Sequence, residues 1–177
     1  MSENNKPSFV AVNIAILTVS DSRDINNDRS GDTLVQRVRQ AGHNMTARSI
    51  VRDEVDLITD ILQTWIADPN IDTVIITGGT GVTGRDVTPE ALAAVWDKEI
   101  PGFGELFRWI SYKKIKTSTI QSRACAGVAG KTYLFALPGS PSACKDGWDE
   151  ILRDQLDIRH KPCNFVEIMP RLNEHLE

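Results

Sequence analysis

The chain has 177 residues, 41% of them hydrophobic, and a net charge of −4 from 20 Lys and Arg against 24 Asp and Glu. This length supports a single domain with a substantial core, and the mildly acidic balance argues against a nucleic-acid or membrane-surface partner. No apolar run approaches the ~18 residues of a membrane span, and the polar residues 1–8 precede no signal-like segment. We therefore predict a cytoplasmic protein with a flexible N-terminus (1–8) and one domain over residues 9–170.

The cysteines and histidines give no sign of a disulfide framework or a zinc site. The cysteines are odd in number, lie far apart and form no CxxC pair, and the histidines lack metal-ligand spacing. We interpret all six as packing or surface residues: Cys125, Cys144, Cys163, His43, His160 and His175.

The first predicted strand and helix span residues 13–42. Residues 13–20 are nearly all apolar, as in a strand buried in a parallel sheet, and they end in the polar sequence Ser20-Asp21-Ser22-Arg23. Ser30 is the expected N-cap of a helix that closes at Gly42. Ser20 and Asp21 are either a plain turn or part of a binding site.

The second strand and helix span residues 44–66. Residues 44–51 predict a strand, and apolar residues then recur at helical spacing from 55 to 66. Asp53 stands where an N-cap is expected. A capping carboxylate can also serve as a ligand, so both roles stay open.

The central segment contains a third strand at residues 74–77, followed by a glycine loop and a helix. Thr88 is the expected N-cap of this helix and Pro89 its first residue. A further helix is marked by apolar residues from Phe103 to Ile110. We interpret the basic sequence at its end, Tyr112-Lys113-Lys114-Ile115-Lys116, as a solvated helix end, with attraction of an anionic substrate as the alternative.

The last part of the chain begins with a Ser/Ala/Gly-rich connection at residues 117–130, and residues 133–137 are the last clear strand. Pro138-Gly139-Ser140-Pro141 either only marks a strand-to-helix turn, with Ser140 as N-cap, or also contributes to a site. A final helix runs to Leu156. This alternation predicts an α/β fold, a three-layer α/β/α arrangement with a mostly parallel sheet covered on both faces.

The most informative segment is the glycine loop Gly78-Gly79-Thr80-Gly81, which follows the third strand and is followed by Asp86. Glycines have no Cβ, so the loop N–H groups can approach phosphate oxygens closely, and carboxylates are the ligands that Mg²⁺ prefers. Ligands of open α/β sheets bind beyond the carboxyl ends of the strands. We therefore expect Asp53 to face this loop from a neighbouring strand, in a nucleotide or phosphate-ester site. The alternative for Asp86 is stabilisation of a helix N-terminus.

Two better-known glycine motifs fit this loop less well. Gly79-x-Gly81-x-x-Gly84 matches the dinucleotide fingerprint, but there the helix starts at the glycines and an acid follows about 20 residues later. The P-loop spacing is also present, but Arg85-Asp86 replaces the required Lys-Ser/Thr. A nicotinamide-dependent oxidoreductase is therefore a remote alternative, as is a glycine turn without a ligand.

The complete string, two aliphatic residues and then Thr-Gly-Gly-Thr-Gly-x-x-x-x-Asp, resembles the signature of the MoaB/Mog family of molybdenum cofactor biosynthesis. The tail Arg159-His160-Lys161-Pro162-Cys163-Asn164-Phe165 is more similar to the MoaB branch than to the Mog branch. The resemblance continues in four further sequences: Asp86-Val87-Thr88-Pro89-Glu90-Ala91, Pro101-Gly102-Phe103-Gly104-Glu105, Gln121-Ser122-Arg123 and Leu137-Pro138-Gly139-Ser140-Pro141.

This resemblance implies an enzyme that binds molybdopterin and adenylylates it with Mg-ATP, giving adenylyl-molybdopterin and pyrophosphate. The family's two metal-site aspartates match Asp53 and Asp86, which makes Mg²⁺ the implied cofactor. Its pterin-side serine matches Ser122, and its strand-end serine matches Ser20. The expected substrate and nucleotide contacts are Ser20, Asp21, Gly78, Gly79, Thr80, Gly81, Thr88, Ser122, Arg123, Pro138, Gly139 and Ser140.

The resemblance also implies an alternative and an assembly. Some MoaB-branch members lack the first aspartate, so a catalytically silent molybdopterin-binding scaffold of the same pathway is the alternative, although this chain keeps Asp53. Family members are homo-oligomers, trimers or hexamers. The helix around Phe103–Ile110, with Trp109 on its second face, is the candidate interface.

Overall fold

The computed structural model describes residues 7–174, so most of the segment predicted to be flexible (1–8), and His175, lie outside the described residues. Its centre is one six-stranded sheet. The strands are Asn13–Val19 (β1), Asn44–Val51 (β2), Thr73–Thr77 (β3), Lys98–Glu99 (β4), Cys125–Ala129 (β5) and Thr132–Leu137 (β6). Their order is β2-β1-β3-β6-β5-β4, with β5 antiparallel to both neighbours and the other pairings parallel. The predicted, mostly parallel sheet is confirmed.

Seven α-helical segments are present within residues 7–174. They are Arg29–Gln40 (α1), Val55–Ile66 (α2), Thr88–Ala93 (α3), Pro101–Ile115 (α4), Pro141–Gly147 (α5), Arg153–Gln155 (α6) and Phe165–Ile168 (α7). A π-helical turn, Trp148–Leu152, joins α5 to α6, and 3₁₀ turns follow α4 and α7. No helix in this part of the chain is long and apolar enough to span a membrane.

The helices cover both faces of the sheet, which produces two hydrophobic cores. On one face, side chains of α1, α4 and the helical path after β6 pack on the sheet, among them Leu34, Phe107 and Trp148. On the other face α2 and α3 contribute Ile58 and Leu92. Every residue of β3 is buried because it has a core on each side, which explains its continuous apolar sequence. The three-layer α/β/α arrangement is confirmed.

The connections leave an open crevice at the carboxyl ends of β1, β3 and β6. The chain passes from β1 to α1 on one face and from β3 to α3 on the other, so the two loops diverge and leave room for a ligand. As predicted, residues 74–77 and 133–137 are central strands that pair in parallel. The strand before Asp53, β2, was expected to be the neighbour of β3. This expectation is wrong, because β1 lies between β2 and β3. Asp53 follows β2 and approaches the glycine loop past the end of β1.

The N-caps of α1 and α2 differ from those predicted. The cap of α1 is Asp28, whose carboxylate accepts the Gly31 N–H at 2.9 Å, and Ser30 lies inside the helix. At α2 the N-cap position is taken by Glu54, with no side-chain capping bond. Asp53 therefore does not cap the helix, and its carboxylate is not used for that purpose.

Of the N-caps predicted for α3 and α5, the first is wrong and the second is confirmed. Thr88 is the first residue of α3, and its hydroxyl donates to the Gly78 carbonyl at 2.8 Å instead of capping the helix. Ser140 is the N-cap of α5, as expected, and accepts the Ala143 N–H at 3.2 Å.

The prediction of an irregular connection at residues 117–130 is wrong. This stretch contains a 3₁₀ turn, Lys116–Gln121, and the whole of β5. The sequence of β5 is rich in Ala and Gly because another element crowds it. A Cβ at Gly127 would lie 2.5 Å from Cε3 of Trp96. Tertiary contacts thus overrode weak strand propensity here. The two-residue strand β4 and the helix α7 had also not been predicted.

Candidate functional site

The glycine loop lies at the carboxyl end of β3 in a conformation that requires glycine. Gly78 has φ of +107° and Gly79 has φ of +63°. A Cβ at Gly78 would lie 2.1 Å from the Val19 carbonyl oxygen, and one at Gly79 would lie 2.9 Å from Oδ1 of Asp53. At Gly78 the backbone angle and the contact with a backbone oxygen exclude a side chain, and at Gly79 the left-handed backbone angle disfavours one. The loop backbone is therefore held directly against the end of β1 and the carboxylate of Asp53.

Residues outside the glycine loop hold its carbonyl groups. Arg123 donates through Nε to the Gly81 carbonyl and through Nη2 to the Asp86 carbonyl, both at 2.6 Å, and its Nη1 pairs with Glu90. The Thr88 N–H donates to the Gly79 carbonyl at 3.0 Å. With its carbonyl groups bonded in this way, the loop backbone is fixed before any ligand arrives.

The carboxyl group of Asp53 lies in an environment that disfavours its charge. Burial raises its pKa above the usual value, and the nearby charges of Asp21 and Asp86 raise it further, while Arg85 opposes them. Two negative charges close to a half-buried third attract a cation. The electrostatics of this corner therefore suit a metal ion or another positive group.

Asp86 is stabilised in its ionised form, in contrast to Asp53. Burial would raise its pKa, but hydrogen bonds from Thr83 and Gly81 and the charge of Arg123 outweigh burial and lower the pKa. The Thr83 N–H and hydroxyl both donate to Oδ2, at 2.8 and 2.7 Å. Those bonds occupy one oxygen and orient the group.

Asp21 takes a different place from the one predicted. It accepts two hydrogen bonds from Arg85, at 2.8 and 2.7 Å, and one from the Asp53 N–H at 3.3 Å. The Arg85 hydrogen bond lowers the pKa of Asp21. Asp21 thus ties the loop after β1 to the glycine loop and adds negative charge beside Asp53, but it does not line the cavity described next.

A cavity of about 680 Å³ occupies the crevice. Its wall brings together loops from four strand ends and the facing sides of α4 and α5. Most of the predicted site residues line it: Ser20, Asp53, Gly78, Gly79, Thr80, Gly81, Asp86, Ser122, Pro138, Gly139 and Ser140. Three predicted contacts do not, namely Asp21, Thr88 and Arg123, because each is engaged in holding the loops.

Several lining residues had not been selected from the sequence. Arg23 donates to the Ser30 hydroxyl and, at 2.6 Å, to the Gly139 carbonyl, so it fastens the loop after β1 to the loop after β6. Arg23 lies in the polar strand-end sequence, which was the only available signal for it. Lys114 belongs to the basic sequence interpreted as a solvated helix end, and Asp146 carried no signal, yet both line the cavity.

The metal-binding capacity of the site rests on two carboxylates. Within residues 7–174 no group of three or more His, Cys, Asp or Glu side chains is arranged to hold a metal ion. Asp53 and Asp86 flank the same glycine loop, and a pair of this kind suits Mg²⁺, which usually takes further ligands from water and substrate phosphates. The donor set thus fits a metal that arrives with a phosphate ligand.

The fold and this site define a class of protein. The family model described as a probable molybdopterin binding domain matches residues 15–158, and the chain belongs to this family. The glycines do not open a helix as in the dinucleotide fingerprint, since α3 begins only at Thr88.

Individual relatives place the chain among the MoaB/Mog proteins, as predicted. It is 48% identical over 157 residues to the molybdenum cofactor biosynthesis protein B of Escherichia coli (strain K12), a match covering 89% of this chain and 92% of that protein. A crystal structure of a molybdenum cofactor biosynthesis protein B has a TM-score of 0.85 at 36% identity, covering 95% of this chain and 99% of that one. The Mog protein of Mycobacterium ulcerans has a TM-score of 0.71 at 30% identity, covering 83% and 98%. The higher identity to protein B agrees with the predicted MoaB branch.

Proposed function

We propose that this protein acts in molybdenum cofactor biosynthesis, where it binds molybdopterin and adenylylates it with Mg-ATP. The observation that carries the proposal is the convergence of the glycine loop, Asp53 and Asp86 on one cavity. The family match and the names of the relatives support molybdopterin as the ligand. A cytoplasmic location belongs to the same proposal.

The reaction that fits the site is a transfer at phosphorus. A phosphate oxygen of molybdopterin forms a bond to the α-phosphorus of ATP, the bond from that phosphorus to the β-bridging oxygen breaks, and pyrophosphate leaves. Such a transfer depends on positioning and on neutralisation of charge more than on covalent catalysis. Burial raises the pKa of Cys125 to about 12 and that of Cys144 to about 11, so neither thiol is an activated nucleophile.

The glycine loop and the two aspartates have separate roles in this proposal. Within the described residues the N–H groups of Gly79 and Thr80 are available for phosphate oxygens, whereas the Gly78 N–H donates to the Leu137 carbonyl at 3.0 Å and the Gly81 N–H donates to Asp86. Asp53 and Asp86 would hold Mg²⁺, which when bound neutralises phosphate charge. The pKa of Asp53, raised by burial and then by the charges of Asp21 and Asp86, supports this assignment, since a bound cation would stabilise the ionised group.

The pterin is expected beside a second group of lining residues. Ser122, Pro138, Gly139 and Ser140 line the same cavity and offer backbone and hydroxyl groups for hydrogen bonds. Arg23 holds Gly139 in place at 2.6 Å.

The test is an adenylylation assay with ATP, Mg²⁺ and molybdopterin, in which the AMP-linked product is measured. Wild type should form product, and Asp53→Ala should impair turnover while molybdopterin binding stays nearly intact. A silent scaffold would bind molybdopterin without forming product in wild type. Equal turnover in wild type and Asp53→Ala would show that Asp53 does not carry the proposed role.

We also propose a homo-oligomer, a trimer or hexamer, assembled through α4. On this helix Trp109 is 59% exposed and Leu106 is 40% exposed, so neither side chain is buried in the core of the chain. Exposed aromatic residues of this kind typically mark an interaction surface. Light scattering at micromolar concentration should give a multiple of the chain mass, and Trp109→Glu should reduce it. A monomeric wild type would contradict the proposal.

A further inference from the structure

The last turns of α4 form one wall of the cavity. Phe107, Ser111 and Lys114 are spaced four and three residues apart, so they share one helical face, and all three line the cavity. From the opposite side α5 contributes Ala143 and Asp146. The Lys114 ammonium donates to Oδ1 of Asp146 at 2.5 Å, so an ion pair connects the two helices at the cavity wall.

Three lysines lie close together at the end of α4, but only one of them lines the cavity. Nζ of Lys113 lies 3.7 Å from the ring centre of Trp109, and Nζ of Lys116 lies 5.7 Å from the ring centre of Tyr112. Among the residues that the structure describes, Lys113 and Lys116 are absent from the cavity wall, whereas Lys114 is part of it. The basic sequence is therefore divided between aromatic contacts outside and one charge inside.

The cavity wall contains two cations within residues 7–174, and they differ in how firmly they are held. Arg23 donates to Ser30 and to Gly139 and lies 3.8 Å from the buried Asp28. Lys114 is 59% exposed, and Asp146 is its only ion-pair partner in the described chain. The Asp146 side chain is 15% exposed, but the ammonium group lies largely in water, where an ion pair is weak, and it has three donors, so Lys114 is free to exchange its partner.

We propose that Lys114 binds a phosphate group of the ligand and that Asp146 competes with this ligand for the ammonium group. The inference rests on the proposed function, which supplies phosphate esters as ligands. A phosphate monoester carries close to two negative charges at neutral pH, against one for Asp146. The pair therefore yields to a phosphate and resists neutral or weakly charged molecules. This gives the cavity a further phosphate contact, in addition to the glycine loop and the two aspartates.

The experiment is titration calorimetry of the full chain in the presence of Mg²⁺ with two pairs of ligands. The first pair is ATP and adenosine, and the second is neopterin monophosphate and neopterin, so the phosphate is present or absent in each. Lys114→Met keeps the aliphatic part of the side chain and removes the charge. This variant should bind at least one of the phosphate ligands about tenfold more weakly, which is the scale of losing one charged hydrogen bond. The affinity for the matching ligand without phosphate should not change. The phosphate ligand whose affinity falls identifies the substrate whose phosphate Lys114 contacts.

Two further variants separate the parts of the inference. Lys113→Met removes a neighbouring charge outside the cavity and should leave all affinities unchanged. Asp146→Asn removes the competitor and should tighten phosphate binding roughly threefold, the scale of an exposed ion pair. Weaker binding in Asp146→Asn would overturn the competition, because it would mean that Asp146 positions Lys114.

Different binding results would overturn the role of Lys114 and the proposed function. If wild type binds both phosphate ligands and Lys114→Met binds them equally well, Lys114 has no part in recognition and only the inference falls. The same holds if Lys113→Met weakens binding as much as Lys114→Met. If wild type binds neither phosphate ligand, the proposed function and the inference are both overturned.

Discussion

Two cavities of similar size lie on either side of residues 120–123, and their walls differ in the groups that they offer to a ligand. The first, of about 680 Å³, lies beyond the carboxyl ends of β1, β3 and β6. The second, of about 630 Å³, lies beside α3, the first half of α4 and β5. Ser122 lines both cavities. Size alone therefore does not distinguish them.

The second cavity lacks the features that make the first a site. Its arginines are already engaged, since Arg108 donates to the Ala124 carbonyl at 3.1 Å and Arg123 holds the glycine loop. No glycine loop faces it within residues 7–174. Burial raises the pKa of its cysteine, Cys125, to about 12. Loops that converge at parallel strand ends, and bring backbone N–H groups next to carboxylates, thus make a site where volume alone does not.

The largest expected effect comes from the carboxylate of Asp86 in the first cavity. Asp86→Ala should lower the adenylylation rate at least ~10²-fold, because it removes a proposed metal ligand and would leave phosphate charge uncompensated. Glu105→Gln, a change of one carboxylate in the second cavity, should leave the rate within about twofold. Steady-state rates with ATP, Mg²⁺ and molybdopterin measure both. Similar losses in the two variants would remove the distinction between the cavities.

Asp86→Asn separates the charge of Asp86 from its hydrogen bonds. The amide oxygen can still accept from the Thr83 N–H and hydroxyl, which reach Asp86 at 2.8 and 2.7 Å. If charge is the cause, Asp86→Asn should lose nearly as much rate as Asp86→Ala. A near-normal rate in Asp86→Asn would mean that the residue only orders the loop.

A smaller effect is expected from the arginine shared between the two regions. Arg123→Met removes both hydrogen bonds to loop carbonyls, so the glycine loop should loosen and the rate fall about tenfold through misplaced phosphates. Arg108→Met is the matched control, because its single bond goes to Ala124 and not to the loop. Rates and thermal unfolding of both variants should be compared. Equal rate losses would show that the second cavity is part of the catalytic structure.

Asp53→Asn should stabilise the protein in the absence of Mg²⁺. Burial and the charge of Asp21 raise the pKa of Asp53 above 3.8, so its protonated form stabilises the fold at low pH, and this contribution is lost as the pH rises through the raised pKa. At pH 7 the ionised group therefore costs stability, and Asn removes that cost, by at most about 1 kcal/mol because the group is partly exposed.

Denaturant unfolding of Asp53→Asn at pH 7 and at pH 4 measures this gain, which should shrink at the lower pH. Asp21→Asn should instead lower the stability at pH 7. The Arg85 hydrogen bond lowers the pKa of Asp21, so the ionised form of Asp21 stabilises the fold. Lower stability of Asp53→Asn at pH 7 would contradict the electrostatic description of the site.

The smallest effect concerns the thiol of the second cavity. Cys125 should react slowly with iodoacetamide at pH 7.5, because burial raises its pKa to about 12 and leaves little thiolate. The exposed Cys163 provides the internal comparison and should be labelled first. Mass spectrometry of peptides follows both. Rapid labelling of Cys125 with loss of adenylylation would show that the second cavity matters for function.

Much of the fold was predictable because its signals are local. The apolar runs of β1, β3 and β6 and the helical spacing in α1 and α2 follow from burial on one or two faces, which a single sequence records. The strand β5 left no such record, because its small residues are required by contact with Trp96. Helix caps were predicted correctly at Ser140 and wrongly at Ser30, Asp53 and Thr88.

The sequence by itself determined the parts of the site that need particular residue types. Gly78 and Gly79 are fixed by backbone angles that other residues avoid, and the proposed metal site requires carboxylates such as those of Asp53 and Asp86. Only the tertiary structure decided which side chains share the cavity. It assigned Arg123 and Thr88 to the support of the loop and brought Lys114 and Asp146 together across 32 positions of the chain. The physical reason is that residue type and backbone conformation are local properties, whereas a cavity wall depends on how distant helices pack on the sheet.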